Sequence, residues 1–415
     1  MALLASVALG LGMTACGGGT IGYMWVLGQQ YNQVAGFKID DYTGNLTTIP
    51  SSPFATGGSV PVSIVVKPGG RFVYVVNQGT APTTGLGTAA NVGSGVVEYA
   101  VGGDGTLTYE ATFQTQGYDS QWAQMDASGT YLYVLDKYDA TFSSTGVQGP
   151  NTDGFGAITV FSTDPNTGRL SLVTNSQTQG GTALNTTFWK VGGAPIMMKS
   201  TGGCLLTVNS ANQTISPYTI GAGGQLIYPQ TLYQQIVSST GASAASITSI
   251  NGNGSYVYLT DSNHGSATNY IFPFTIGSGC VLNPVTGGAV QNQTGQINPT
   301  YSMLDNSGKY LYVLNQKNTN LSSPVPYSSI SAWTLNTATG QLQALSGAPF
   351  TVGSGPVCMV EDTSNQYIYI SNHNDGTITG KVIDPTTGNL SGLSRGSTFN
   401  ASGLASCLVL SGAVS

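Results

Sequence analysis

The sequence predicts an all-β protein, a seven-bladed β-propeller built from four-stranded antiparallel blades. The first observation behind this prediction is the composition, because charged residues are only 7% of the 415 residues and Gly accounts for 58 of them. Ordinary globular domains carry roughly 25% charged residues. A chain dominated by Gly, Thr, Val and Tyr favours strands and tight turns over helices. The other two observations are a recurring strand and a recurring turn.

The recurring strand is a run of aromatic and branched apolar residues that ends, in most copies, in a polar residue. Five clear copies and two weaker ones lie at 72–77, 131–136, 256–261, 310–315 and 367–372, and at 23–28 and 204–209. Strands that are apolar on both faces are buried on both faces, as they are between neighbouring blades. Seven copies of a four-stranded unit at intervals of about 50 to 75 residues predict a propeller.

The recurring turn follows a further strand in the repeat. Residues 164–170 and 384–390 read Asp-Pro-x-Thr-Gly-x-Leu, and 40–46 and 336–342 repeat the form. Because Pro fixes φ and Gly supplies a positive φ, the pattern indicates a hairpin. Most copies have too few carboxylates for a calcium site. Each repeat is therefore expected to contain an inner strand A, the recurring strand B, and strands C and D.

The ring is predicted to close through its last strand. The first repeat begins at strand B, with no strand before Gly22, and the apolar segment 404–410 follows the last repeat. This segment can complete the first blade, which removes the exposed edges that an open array would leave. The prediction is a single propeller domain over residues 22–415.

The N-terminal segment predicts export. Residues 2–12 are small and apolar, too short to span a bilayer, and they precede Cys16 in a pattern like a bacterial lipoprotein cleavage box. We interpret 1–15 as a signal peptide, Cys16 as the lipidated residue and 16–21 as a flexible tether. The expected location is the bacterial cell envelope or the extracellular space, with membrane contact only through the lipid. The alternative is a buried N-terminal strand.

The charge pattern excludes a nucleic-acid-binding protein. Lys and Arg number 11 against 17 Asp and Glu, which gives a net charge of −6, and the cations form no basic patch. The sequence carries no cofactor-binding motif, and no His and carboxylate groups have the spacing typical of a metal site. We therefore expect neither a cofactor nor a metal.

The repeated Tyr-Leu-Tyr-Val-Leu-Asn form is preceded by a Ser-Gly turn and followed by Asp-Pro-x-Thr-Gly-x-Leu. It resembles the YVTN/lactonase-like seven-bladed propellers over roughly residues 22–412. That family includes 6-phosphogluconolactonase-like enzymes, so the resemblance implies a site of His, Arg and Glu near the central channel. It also implies a His soon after the Pro that opens an inner strand. The matching places, after Pro61, Pro195, Pro299 and Pro356, hold neither His nor Arg. Lactone hydrolysis needs a base, and the candidates are His264, His373 and Asp261.

A ligand is expected on the face formed by the B–C and D–A loops, because length variation is concentrated there. The candidate contacts are the aromatic residues Trp122, Tyr138, Trp189 and Tyr327. They suit a glycan or a protein partner, or they pack against their own loops. Polar residues that end strand B can ring the channel mouth or form local hydrogen bonds; among them are Asn77, Asp136 and Asn315.

Three functions remain open at this point. The favoured one is a non-catalytic, exported binding or scaffold propeller. The second is an extracellular structural subunit that forms oligomers or filaments, since low charge reduces repulsion between copies. The third is a lactonase-type hydrolase related to 6-phosphogluconolactonase. Separately, Cys358 and Cys407 fall on neighbouring inner strands, where they can form a disulfide if their Cα atoms lie within about 7 Å.

Overall fold

The computed structural model describes residues 19–79, 95–139, 155–175, 187–229, 233–262, 268–293, 295–317 and 327–412, and the backbone of two short strands between 178 and 183. Seven antiparallel sheets each carry four strands in the spatial order D-C-B-A. The A strands of consecutive blades contact one another around a complete ring. The predicted seven-bladed all-β propeller is confirmed. We number the blades 1 to 7 in the chain order of their B strands.

The four strand types recur in every blade. From blade 1 to blade 7, the A strands are Ala405–Gly412, Pro61–Val66, Gly117–Met125, Pro195–Thr201, Ile247–Gly252, Pro299–Leu304 and Pro356–Glu361. The B strands are Thr20–Gly28, Phe72–Asn77, Tyr131–Asp139, Cys204–Asn209, Tyr256–Asp261, Tyr310–Asn315 and Tyr367–Asn372. The C strands are Gln33–Asp40, Gly95–Val101, Phe155–Thr163, Thr214–Ile220, Tyr270–Ile276, Ser328–Leu335 and Thr377–Ile383. The D strands are Leu46–Thr48, Leu107–Phe113, Leu170–Leu172, Leu226–Ile227, Leu282–Pro284, Leu342–Ala344 and Leu390–Gly392.

Shorter elements complete the sheets. In every blade except blade 2 an additional short strand pairs with strand C; these are Phe54–Ala55, Trp189–Gly193, Gln234–Gln235, Val290–Gln291, Phe350–Val352 and Thr398–Asn400. Thr178–Gln179 and Thr182–Ala183 form a separate hairpin. The 3-10 helices in the described part of the chain are Gln29–Tyr31, Ala222–Gly224 and Ser278–Cys280.

The last strand of the chain completes blade 1. Ala405–Gly412 pairs antiparallel with Thr20–Gly28, in a register that places Trp25 opposite Val409. The closing strand predicted at 404–410 is thus confirmed, with its bounds moved toward the C-terminus. Leu404 lies outside the strand and remains 36% exposed. The two ends of the propeller are therefore joined by backbone hydrogen bonds within one blade.

The B strands form the centre of each blade and are almost completely inaccessible. Every residue of strand B is buried in blades 2, 4, 5, 6 and 7. Each B strand has a hydrogen-bonded strand on either side and a neighbouring blade on either face, which explains its apolar sequence. The hydrophobic clusters consequently lie between blades, and large ones combine residues from two or three blades.

A repeated hydrogen bond joins each blade to the next. The third residue of the recurring sequence run (23–28 in blade 1) is aromatic in six blades, and in five of them its polar hydrogen reaches a Gly carbonyl in the C–D turn of the following blade. For example, Tyr312 Oη donates to the Gly388 carbonyl at 2.7 Å. The other pairs are Tyr74–Gly168, Tyr258–Gly340, Tyr369–Gly44 and Trp25–Gly105. The recurring strand and the recurring turn of the sequence are therefore bonded to each other across blade boundaries.

The glycine of this turn also packs against the aromatic ring of the first residue of the recurring run. A Cβ at Gly168 would lie 2.5 Å from Cδ1 of Phe72, and the φ of Gly168 is +74°. Corresponding overlaps occur at six of the seven interfaces; the other five are Gly44–Tyr367, Gly105–Tyr23, Gly224–Tyr131, Gly340–Tyr256 and Gly388–Tyr310. At the interface between blades 4 and 5 the two positions hold Cys204 and Cys280, and these form a disulfide.

Candidate functional site

The inner strands enclose a central channel whose loop-side entrance has a regular construction. Near the start of every A strand the register with strand B shifts at a β-bulge. The bulged residue is half-buried in all seven blades. We call these residues the rim; they are Val62, Gln121, Ile196, Thr248, Thr300, Val357 and Ser406. The rim faces the B–C and D–A loops and offers hydroxyl, amide and aliphatic groups.

Trp122 and Tyr301 close the middle of the channel. Each directly follows a rim residue, in blades 3 and 6, and their ring centroids are 6.2 Å apart with 40° between the planes. The indole nitrogen Nε1 of Trp122 is buried and has no hydrogen-bond partner among the described residues. Trp122, which the sequence suggested as a ligand contact, therefore packs inside the channel against its own chain.

A cavity of about 630 Å³ occupies the channel on the other side of this aromatic pair. It extends from Trp122, Tyr301, Cys358 and Cys407 to the A–B turns of blades 2, 3 and 7. It therefore opens toward the face of short turns, whereas the sequence placed the binding site on the face of long loops. Its walls are mostly apolar, with Gln124 and Ser63 among the polar contributors.

Lys199 is an unusual cation of the inner wall. It lies on strand A of blade 4 and lines a second cavity of about 520 Å³ together with Asn251 and Asn306. Burial lowers the pKa of its ammonium group. None of the described residues forms an ion pair with it. Sequence reasoning did not single out Lys199, although a lysine within an otherwise neutral inner strand was visible as a signal.

His373 is the predicted catalytic candidate that reaches the channel entrance. It immediately follows strand B of blade 7, and its ring nitrogen Nδ1 lies 3.1 Å from the carbonyl oxygen of Ala405, the first residue of the closing strand. A carbonyl only accepts hydrogen bonds, so Nδ1 carries the proton and Nε2 of the neutral ring holds a free electron pair. The half-buried imidazole thus presents its basic nitrogen away from Ala405.

The polar residues that end the B strands do not ring the channel mouth. Asn77, Asp136 and Asn315 are each at most 1% exposed to solvent. Asn315 Nδ2 donates to the hydroxyl of Ser331 on strand C at 2.7 Å, and Asn77 Nδ2 donates to the Thr56 carbonyl at 3.0 Å. The ligand-binding prediction for these residues is corrected, because local hydrogen bonds to strand C and the D–A loop hold them inside the blades, where Asn77 Oδ1 has no partner among the described residues.

Two carboxylates among the polar residues at the ends of the B strands are held by hydrogen bonds from neighbouring groups. Asp136 accepts hydrogen bonds from the hydroxyls of Ser120 and Thr159 at 2.6 and 3.2 Å. Burial nevertheless raises its pKa to about 7. Asp261 accepts the backbone N–H groups of Ala245 and Ser246 at 2.9 and 2.6 Å. Both carboxylates orient the start of an A strand and are turned away from solvent.

The remaining aromatic candidates differ in exposure. Trp189 is fully buried within the cluster between blades 3 and 4, so its predicted ligand contact is corrected. It belongs to an additional strand in a segment that the sequence suggested as a loop. Tyr138 is half-buried, with the ammonium of Lys137 5.3 Å from its ring centroid. Tyr327 is 44% exposed. These three side chains do not form one surface.

Blade 3 contributes two ion pairs at the loop side that the sequence did not suggest. Lys137 Nζ lies 3.5 Å from Asp119 Oδ2, and Lys190 Nζ lies 3.2 Å from Asp139 Oδ2. Both carboxylates are buried, whereas the lysine side chains are about one third exposed. Asp119 has a φ of +60°, which costs energy for a residue with a Cβ. Lys137 and Lys190 are therefore each neutralised by a carboxylate of the same sheet.

Several predictions concern residues outside the described part of the chain, namely the signal peptide at 1–15, Cys16 and His264. Export, the lipid anchor, self-assembly and a macromolecular partner stay predictions. Within the described ranges, no helix is long and apolar enough to cross a membrane. The same ranges contain no group of three or more His, Cys, Asp and Glu residues placed to hold a metal ion.

Comparison of the sequence with protein families finds no matching family, and comparison with curated proteins finds no matching relative. The fold, in contrast, has close counterparts among solved structures. A candidate 6-phosphogluconolactonase from Bacteroides fragilis is 17% identical with a TM-score of 0.67, and 94% of this chain covers 98% of that one. The periplasmic gluconolactonase PpgL of Pseudomonas aeruginosa is 15% identical with a TM-score of 0.67, over 94% and 99%. A candidate 6-phosphogluconolactonase from Bacteroides uniformis gives the same values.

These similarities show that the chain has the fold of the lactonase-like propellers. They also correct the preferred functional prediction. The sequence favoured a non-catalytic binding or scaffold module, because the places where the family resemblance implies His or Arg hold neither. Three of the structures that match almost the entire chain are instead named as 6-phosphogluconolactonase candidates or as a gluconolactonase. The prediction of a non-catalytic scaffold is therefore wrong, and the lactonase alternative is the better supported one.

Proposed function

We propose that this protein hydrolyses a lactone, and that its substrate is an uncharged sugar lactone such as gluconolactone. The observation that carries this proposal is the similarity over 94% of the chain to propellers named as a candidate 6-phosphogluconolactonase and as a periplasmic gluconolactonase. The similarity extends over nearly the whole of each matched chain as well.

His373 is the residue we propose as the general base. Hydrolysis requires that a water molecule lose a proton as it attacks the lactone carbonyl. The hydrogen bond from Nδ1 to the Ala405 carbonyl leaves Nε2 as the acceptor for that proton. The same bond stabilises the ring when it becomes an imidazolium. The C–O bond of the lactone then breaks, the ring oxygen receives a proton, and the product is a hydroxy acid.

The positions of the cations support an uncharged substrate. All 11 Lys and Arg residues lie in the described part of the chain, and those on the loop side are Lys137, Lys190 and Lys317. Two of these are already paired with carboxylates. A phosphate ester is typically held by charge-assisted hydrogen bonds from several cationic groups. The remaining loop-side ammonium, that of Lys317, has no ion-pair partner among the described residues and by itself offers little for a phosphorylated lactone.

The test compares the purified protein with a His373→Asn variant. Asparagine keeps an N–H donor for the Ala405 carbonyl but has no basic nitrogen, so the local structure is retained and the base is removed. We expect the wild type to accelerate gluconolactone hydrolysis, followed by titration of the released acid, above the spontaneous rate in the same buffer. The variant is expected to lose about 100-fold or more of that acceleration.

The controls test the role of His373 as the base separately from the proposal that the protein hydrolyses lactones. The 6-phosphate of the same lactone should be a poorer substrate by kcat/KM. An active His373→Asn variant would reject His373 as the base while leaving lactone hydrolysis in place. A wild type that adds nothing to the spontaneous rate for either lactone would reject the proposed function.

A further inference from the structure

The wall of the central cavity contains two thiols at the point where the ring closes. Cys358 lies on strand A of blade 7 and Cys407 on the closing strand of blade 1, and their Sγ atoms are 3.1 Å apart. Both side chains are buried. Strand A of blade 7 and the closing strand contact each other, but each has its backbone partner within its own blade. The thiols therefore meet across an interface that no strand pairing joins.

The surroundings make the two thiols chemically unequal. The hydrogen bond between the two sulfur atoms lowers the pKa of the Cys358 thiol, with help from neighbouring backbone N–H groups and from Tyr301 and against the opposing effect of burial. The same contact, together with burial, raises the pKa of Cys407. A thiolate is the attacking species in disulfide exchange. Cys358 is thus suited to attack first and Cys407 to react second.

Cys358 and Cys407 both line the cavity of about 630 Å³ that opens at the short-turn face. The chain also uses a disulfide to join two blades elsewhere, because Cys204 and Cys280 connect blades 4 and 5. The second pair of thiols lies at the interface of blades 7 and 1, on a different side of the ring. A small disulfide compound that enters the cavity would meet Cys358 next to its partner.

We propose that Cys358 and Cys407 form a reversible disulfide that covalently locks the closing strand to blade 7. The Cys358 thiolate attacks a disulfide such as oxidised glutathione, and one glutathione leaves as its thiolate. Cys407 then loses its proton and attacks Sγ of Cys358, which releases the second glutathione. Two thiols are oxidised, one glutathione disulfide is reduced, and two protons are passed to the released thiolates.

The experiment treats the folded wild-type protein with oxidised glutathione, blocks remaining thiols with iodoacetamide, and maps the cysteine peptides by mass spectrometry without reduction. We expect a peptide pair linked through Cys358 and Cys407 in most molecules, and full reversal by dithiothreitol at a concentration that spares Cys204–Cys280. The oxidised protein should also unfold at a higher urea concentration than the protein in which this pair is reduced.

Single variants test the order of attack. In Cys407→Ser, a glutathione adduct should accumulate on Cys358, whereas Cys358→Ser should acquire at least tenfold less adduct on Cys407. The proposal is overturned if both thiols of the folded wild type remain open to iodoacetamide after oxidation, or if the linked and reduced forms unfold at the same urea concentration. Neither readout depends on lactone hydrolysis, so this proposal and the proposed function fail independently.

Discussion

Cys204 and Cys280 occupy, at the interface of blades 4 and 5, the positions that an aromatic residue and a glycine occupy at the other six interfaces. Cys280 even keeps the positive φ of the glycine, at +65°. The disulfide is therefore a substitute for a packing contact at one position of an otherwise regular ring.

This equivalence predicts that the disulfide can be exchanged for the packing contact. Cys204→Ser should lower the free energy of unfolding by about 2 to 5 kcal/mol. The double variant Cys204→Tyr with Cys280→Gly should recover part of that loss, whereas Cys204→Tyr alone should not, because the Cβ of Cys280 occupies the place of the ring. Urea unfolding without reductant measures all three. A double variant no more stable than Cys204→Ser would contradict the equivalence.

Two adjacent glycines isolate the contribution of the ring contact. Gly223 and Gly224 have φ values of +68° and +75°; a Cβ at Gly223 meets nothing within 4 Å, whereas one at Gly224 overlaps Tyr131. Gly223→Ala should cost only the backbone strain, about 1 to 2 kcal/mol. Gly224→Ala should cost clearly more when both variants are measured by thermal unfolding. Equal losses of stability in the two variants would show that the contact with the Tyr131 ring is unimportant.

The aromatic pair in the channel predicts energetic coupling between blades 3 and 6. Trp122→Ala and Tyr301→Ala should each destabilise the protein by about 2 to 4 kcal/mol, since each leaves a cavity. The double variant should lose less than the sum, by about 0.5 to 1.5 kcal/mol, because the rings contact each other. Additive losses in a double-mutant cycle would exclude direct coupling.

Buried carboxyl groups predict greater stability in mild acid. Burial raises the pKa of Glu98 and of Asp136 to about 7, whereas both titrate near 4 in an unfolded chain. The folded state therefore binds more protons between about pH 4 and 7, so this stability is present below pH 4 and is lost as the pH rises through 7. The thermal midpoint should fall from pH 5 to pH 8. Glu98→Gln with Asp136→Asn should flatten the profile, and a wild-type midpoint that rises over this range would contradict the argument.

The burial of Lys199 predicts that stability increases with pH at higher pH, opposite to the effect of the carboxyl groups. Burial lowers its pKa, so the unfolded chain binds the extra proton, and stability should increase as the pH approaches the ordinary lysine value of about 10.4. Lys199→Met should raise the thermal midpoint at pH 7 by a few degrees and remove this part of the pH dependence. Lys38→Met, at an exposed position on strand C of blade 1, is the matched control. A lower midpoint for Lys199→Met would indicate that the ammonium has a stabilising partner.

The sequence was sufficient for the architecture because the blades are local units. Each repeat carries its own strand order and turn residues, so periodicity predicted the number of blades and the closing strand. Contacts across the channel, such as Trp122 with Tyr301, depend on the closed ring and leave no periodic signal. Trp189 was misassigned because a short additional strand lies in a segment without the recurring pattern. The pairing of Cys204 with Cys280 was within reach, since aligning the repeats places both at the interface positions.

The strand pairing within blade 1 has a consequence for how the molecule is made. Thr20–Gly28 leaves the ribosome before the other six blades, and its partner Ala405–Gly412 follows after all of them. Until that partner is made, the first blade has an unpaired edge, which other chains can join. The newborn protein therefore has to keep one strand edge from pairing with other chains while six blades are synthesised, and the ring closes only after the last of them.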